Sequence, residues 1–302
     1  MFEMQDHLIK ATAAGAMVRA VAAVTTDTIE EARRRQGSLP TATAALGRVM
    51  TGAALLASLL KEGHKVTLQL KGDGPLKEVT GDAEFNGNIR GYVRKPQVHL
   101  PSRAGKLDVG GAIGTRGTLS VTKDVGLKEP YAGIVSLVTG EVGDDLSEYL
   151  LTSEQQPSAV ALGVLVGTEN SVMAAGGYLV QPLVGAEDEV IAAIERNIAK
   201  AQPVSDMVHS GLDARAILEH VLAGLDVEIK GRQELRFNCG CSRARAERTL
   251  IALGPKELKD MLAEGKDVEL NCNFCDESYI FSIEDIRSIL EEIKKRWVIH
   301  SS

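Results

Sequence analysis

Cysteine is scarce in this 302-residue chain: there are four, and none lies before position 239. A disulfide-dense scaffold is thereby excluded. Aromatic residues make up 4% of the chain and prolines number nine, against 44% hydrophobic and 25% charged residues. Such a balance belongs to an ordinary globular protein and excludes a disordered chain or a collagen-like repeat. Positive charge is not in excess either, since 34 Lys and Arg stand against 41 Asp and Glu, a net charge of −7. Neither duplex nucleic acid nor an anionic membrane is expected as the main partner. The uncharged stretch of the first helix-like region, Val49 to Leu60, has 12 residues, short of the ~20 a membrane helix needs. Met1 to Asp6 contain no basic cluster and no apolar run. No secretion signal is expected there, and the expected location is the reducing cytoplasm.

The marks of common enzyme chemistries are missing as well. Gly72-Asp73-Gly74 and Gly114-Thr115-Arg116-Gly117 are too short for nucleotide loops and lack a phosphate-binding lysine in a strand–loop–helix setting. The histidines (His7, His64, His99, His209, His220 and His300) are dispersed, with no pair at metal-ligand spacing. Ser153 has no nucleophile-elbow glycines around it. Asp144 and Asp145, beside Gly143, read as a solvated turn. No catalytic residue is expected, and residues 1–184 read as a scaffold or a binding surface.

What the chain does have is a cysteine pattern: Cys239-x-Cys241, then Cys272-x-x-Cys275, all within 37 residues. Two tight pairs in a chain without a secretion signal point to one tetrahedral zinc site, each pair supplying two thiolates to one ion. A closed zinc staple with no other role is the plain alternative. Structural disulfides fit a reducing compartment poorly, and hydrolytic zinc would need an open ligand position that four thiolates do not leave. A nucleic-acid zinc ribbon is a further rival, on the strength of Arg243, Arg245 and Arg248. From Arg232 onward, however, 12 basic side chains face 13 acidic ones, so no basic stripe survives.

Around the cysteines the chain reads as a small module. Ser242 is placed to cap a helix, Pro255 to open a second one that Gly265 ends, and Ser282 with Asp285 to form a capping box for a last helix. Val268–Leu270 and Tyr279–Phe281 read as strands flanking the Cys272–Cys275 knuckle. The last helix carries Ile283, Ile286, Leu290, Ile293 and Trp297 on one stripe. Before this module, Pro40-Thr41 open a helix rich in alanine and leucine, and alternation from Val66 to Lys71 begins a series of short strands with Gly-rich turns. Between the two, Val190, Ile191, Ile194 and Ile198, then Leu212, Ile217, Leu218, Val221 and Leu222, form two amphipathic stripes. The expected class is α+β: a core domain of mainly antiparallel sheets with helices over 1–184, a helical linker over 185–231, and a zinc-binding domain over 232–302.

The chain resembles the heat shock protein 33 family of redox-regulated holdase chaperones. The resemblance is carried by Phe237-x-Cys239-x-Cys241-Ser242 with Arg245, Leu250, Leu253 and Gly254, and by Cys272-x-Phe274-Cys275 with Tyr279-x-Phe281. Pro40 to Arg48, Gly114-Thr115 through Lys123-Asp124, and Ser153-Glu154-Gln155-x-Pro157-Ser158 are similar to its core signatures. Trp297 to Ser302 match nothing in that pattern. The resemblance implies a reduced, zinc-bound, inactive monomer that oxidation converts to a dimer holding unfolded clients without ATP. It implies one Zn2+ on Cys239, Cys241, Cys272 and Cys275, and disulfides joining Cys239 to Cys241 and Cys272 to Cys275. Two other classes compete with it: a zinc-bound thiol oxidoreductase working through Cys272 and Cys275, and a purely structural zinc module.

Overall fold

The computed structural model describes residues 5–300, with side chains as far as residue 293. Two compact units divide the chain, Met1–Asn238 and Cys239–Ser302. The first begins with β1 (His7–Ala13), β2 (Val18–Val24), α1 (Thr26–Gln36), α2 (Pro40–Ser58), β3 (Lys65–Gly72), β4 (Glu78–Glu84) and β5 (Asn88–Val93). It continues through α3 (Val109–Ile113), β6 (Gly117–Asp124), β7 (Tyr131–Ser136), α4 (Val142–Thr152), β8 (Ala159–Val166) and β9 (Val172–Pro182). It ends with α5 (Asp188–Lys200), α6 (Val204–His209), α7 (Ala214–Val221), β10 (Val227–Glu234) and β11 (Arg236–Phe237). The strands form two sheets, in the orders β10-β1-β2-β9-β8 and β11-β5-β4-β3-β6-β7. All their pairings are antiparallel except the short β11–β5 contact. The α+β class expected from the sequence is the class observed.

The alanine- and glycine-rich composition of α2 has a direct packing cause. This helix is buried along nearly its whole length between the two sheets. A Cβ on Gly52 would lie 3.2 Å from Leu68 of β3 and 3.6 Å from Leu162 of β8, one strand from each sheet. At Gly47 an added Cβ would come within 2.8 Å of both Ile29 and Val164. Small residues let both sheets close on one helix, and the core that results includes Leu46, Met50, Leu55, Leu68, Leu70 and Leu179.

The first sheet is buried on its other face too. There Ile9, Ala11, Val18, Ala20, Ala22, Tyr178 and Val180 pack against Val190, Ile194, Val204, Met207, Ile217 and Leu218 of α5–α7. The stripes read from the sequence thus dock on an alanine-rich sheet surface within the first unit. β10 follows and pairs with β1 at the sheet edge. Among the described residues no helix is long and apolar enough to cross a membrane.

Asp144 and Asp145 do not form the solvated turn that their neighbours suggested. They lie in the first turn of α4, and Asp145 is fully buried. Its Oδ1 accepts the Val138 N–H at 2.6 Å and the Thr139 N–H at 3.1 Å. The preceding loop is tied to the helix start in this way, a job for a buried carboxylate that adjacency alone does not reveal.

Asp6 does similar work from a distance. Its carboxylate accepts the backbone N–H of Asp27 at 3.2 Å and of Thr28 at 2.6 Å, capping α1 across the fold. Burial outweighs those bonds and raises its pKa from 3.8 to about 6. The folded state therefore binds a proton more tightly than the unfolded chain, so this group favours folding below the unfolded pKa and loses that contribution as pH rises through about 6. A shift of that size corresponds to about 3 kcal/mol. Asp6→Asn is expected to be relatively more stable than wild type at pH 7.5 and to flatten the stability difference between pH 4 and 7. Urea unfolding of both proteins across that range checks it, and parallel pH profiles would refute it.

Candidate metal centre

The second unit holds α8 (Arg243–Leu253), α9 (Pro255–Glu264), β12 (Val268–Asn271), β13 (Ser278–Phe281) and α10 (Ile283–His300). Its core is small, built on Leu250, Leu258, Phe281, Ile286, Ile289, Leu290 and Ile293. The side chain of Trp297, assigned above to the last helical stripe, lies outside the described residues. Ser242 caps α8 by accepting the Arg245 N–H at 3.3 Å. Ser282 and Asp285 form the reciprocal box at the start of α10: the Asp285 N–H donates to Ser282 Oγ at 3.2 Å and the Ser282 N–H to Asp285 Oδ2 at 2.8 Å.

Each cysteine pair is shaped by its local backbone. Cys239 and Cys241 precede α8, and Gly240 between them has φ +60°, a left-handed conformation that turns both sulfurs to one side. Cys272 and Cys275 sit in the turn of the β12–β13 hairpin, closed by the Cys272 N–H donating to the Glu277 carbonyl at 2.9 Å. The Asp276 N–H donates to the Cys272 carbonyl at 2.8 Å, and Asp276 has φ +59°, completing a tight knuckle.

The two pairs meet. All four are thiols, and their Sγ atoms lie within 4.8 Å of one another. Two close approaches cross between pairs: Cys239 to Cys272 at 3.4 Å and Cys241 to Cys275 at 3.3 Å. Four sulfurs on one tetrahedral ion at about 2.3 Å would stand about 3.8 Å apart. The donor set and its spacing therefore fit a soft, four-coordinate ion, and the four residues could hold one metal. Among the described residues this is the one group of His, Cys, Asp and Glu gathered closely enough to do so.

The electrostatics of the cluster favour a cation among the sulfurs. Burial pushes the Cys275 thiol well up, and the neighbouring thiols add to the effect. Burial and then Cys272 raise Cys239. Cys272 is held below the usual thiol range, because backbone N–H groups of Phe274 and Cys275 together with neighbouring thiols outweigh its burial. Four adjacent thiolates repel one another unless a positive ion sits among them. Cys275 is buried while the other three are half-buried.

Two features near the cluster were not legible as such. The Tyr279 hydroxyl donates to Cys241 Sγ at 3.1 Å. Arg243, counted among possible phosphate contacts, is engaged internally. It donates to Asp285 at 2.9 Å and to the Ile280 carbonyl, and stacks on the Phe281 ring.

Comparison with known proteins agrees with this architecture. A family model described as Hsp33 protein matches residues 6–282. The 33 kDa chaperonin of Bacillus subtilis is 45% identical over 288 residues, which is 95% of this chain and 99% of that protein. That of Desulforamulus reducens is 45% identical over 294 residues, 97% of this chain and all of its own. The crystal structure of the 33 kDa chaperonin, a heat shock protein 33 homologue, from Thermotoga maritima is similar with a TM-score of 0.87 and 36% identity, covering 96% of this chain and 99% of that one.

Proposed function

The chain belongs to the Hsp33 family, and on that premise, joined to four thiols gathered within 4.8 Å, we propose that it is a redox-regulated, ATP-independent holdase chaperone of the cytoplasm. When bound, zinc supplies the positive charge and tetrahedral template that keep the four sulfurs as thiolates. Cys239, Cys241, Cys272 and Cys275 are its ligands and the redox switch. A peroxide gives one oxygen to a thiolate and leaves as hydroxide, and the sulfenic acid then condenses with a second thiol, releasing water.

The disulfides we propose are Cys239–Cys241 and Cys272–Cys275, although close sulfur contacts also run across the pairs. Once oxidation removes the first ligand, the module loses its template and the distant pairs separate. Partners two or three residues apart stay within reach, because closing so short a loop costs little chain entropy. The 185–231 segment then acts as the linker that undocks, and its apolar stripes, with the alanine-rich sheet face beneath, hold unfolded clients. The reduced form is a monomer and the oxidised form a dimer. Neither a catalytic residue nor nucleic acid has a part in this scheme.

One oxidised sample tests it. Light scattering of a heat-unfolding client should show suppressed aggregation with oxidised and not with reduced protein, and peptide mapping of the same sample should find the two neighbour links. Mainly cross-pair links would overturn the pairing. Steady turnover of a disulfide substrate with zinc retained would favour the oxidoreductase reading, and an unchanged client curve would favour a structural module.

A further inference from the structure

Tyr279 is placed by the hairpin register. Val268, Leu270, Tyr279 and Phe281 alternate onto the inner face of β12–β13, with Tyr279 opposite Leu270. Its ring packs on the small core of the second unit, while its hydroxyl reaches Cys241 Sγ at 3.1 Å. The ring alone would satisfy the packing. The hydroxyl is aimed at a sulfur.

Other sulfurs of the cluster take donors from the main chain. Cys272 accepts from the Phe274 and Cys275 N–H groups, Cys275 from Glu277, and Cys239 from Cys241. Those donors come with the fold of the knuckles. Cys241 takes a phenol, a donor that a single substitution removes. A hydrogen bond to a thiolate shares the electron pair that attacks an electrophile, so it lowers the nucleophilicity of that sulfur.

We propose that Tyr279 is a positioning residue whose hydroxyl restrains Cys241 and so sets how readily the four-cysteine site responds to an oxidant. The inference rests on the redox reading above. In the attack it slows, the Cys241 electron pair forms an S–O bond, the peroxide O–O bond breaks and hydroxide leaves. The resulting sulfenic acid later loses its oxygen as water when a second thiol closes the disulfide.

Tyr279→Phe keeps the ring and deletes the donor. About 0.4–0.5 of the bond's effect on sulfur basicity reaches the attack rate, so Cys241 should react about three- to tenfold faster. The test is alkylation of the full reduced, zinc-loaded chain by N-ethylmaleimide, resolved cysteine by cysteine by mass spectrometry. Acceleration confined to Cys241 is the expected result. Cobalt loaded in place of zinc supplies a second readout: the sulfur-to-metal charge-transfer band should move to lower energy while the tetrahedral pattern persists. Tyr279→3-fluorotyrosine, a stronger donor of nearly the same shape, should slow Cys241 instead.

Equal acceleration of all four cysteines would mean a loosened module and would overturn the proposal, as would a wild-type rate at Cys241. Wild-type protein that kept its zinc under peroxide would sink the redox reading, while Cys241 alkylation would still judge the hydrogen bond.

Discussion

Stripping the metal from reduced protein should unfold residues 239–302 and leave the first unit folded. Among the described residues, the second unit has a core cluster of seven buried apolar side chains and no sheet larger than a hairpin. A core of that size supplies only about 3–5 kcal/mol. Structural zinc in such modules contributes ~10–16 kcal/mol of coupled binding and folding energy. On the proposed zinc site the metal therefore decides the outcome, and Cys275→Ser, which removes the most buried of the four thiols, should behave like the stripped protein. Circular dichroism should lose helix in proportion to α8–α10, and amides near Leu250 and Leu258 should lose hydrogen-exchange protection. The two-sheet core around α2 should keep its protection, since its described side chains all come from the first unit. Metal analysis of the reduced protein should return about one zinc per chain. Retention of native protection at Leu250 and Leu258 without metal would show that the module folds on its own and that ligand loss cannot be the trigger.

Local chemistry made much of this structure legible beforehand. Pro40 does open α2, Ser242 does cap α8, and Ser282 with Asp285 does box the start of α10, because caps and turns are decided within a few residues. The cysteine pairs were legible for the same reason, since their short spacings are local. The strands β1 and β2 were not. β2 reads Val-Arg-Ala-Val-Ala-Ala-Val, and a strand buried on both faces has no polar alternation to reveal it. β10 escaped for the opposite reason. Its charged side chains face solvent at a sheet edge, and its place comes from pairing with a segment more than 200 residues away. Tyr279 likewise gave no sign of its sulfur partner, because the contact depends on a hairpin register and on the turn at Gly240 together.

Replacing Ile194 and Ile217 with serine should turn the chaperone on before any cysteine is oxidised. Both side chains are buried, Ile217 completely, in the layer where α5–α7 cover the first sheet. Burying an isoleucine is worth ~1.5–3 kcal/mol, and the cavity left by a shorter side chain adds to that loss. Two such losses fall on short helices that are marginal without their docking face. The sandwich around α2 has a separate set of core residues, so it should hold while the helical layer opens. None of the four cysteines is among the residues of that cluster, so zinc content should stay near one per chain. If docking of 185–231 is what keeps the protein inactive, the reduced, zinc-loaded double variant will suppress aggregation of a heat-unfolding client with no oxidant present. The same stripes hold clients in this scheme, so the maximum capacity should fall even as activity appears. Onset without oxidant is therefore the diagnostic quantity. Hydrogen exchange supplies the control, with protection lost in α5–α7 and kept in α2. An opened helical layer, zinc in place and no effect on the client would make 185–231 an ordinary covering of the sheet, and the switch would have to lie elsewhere.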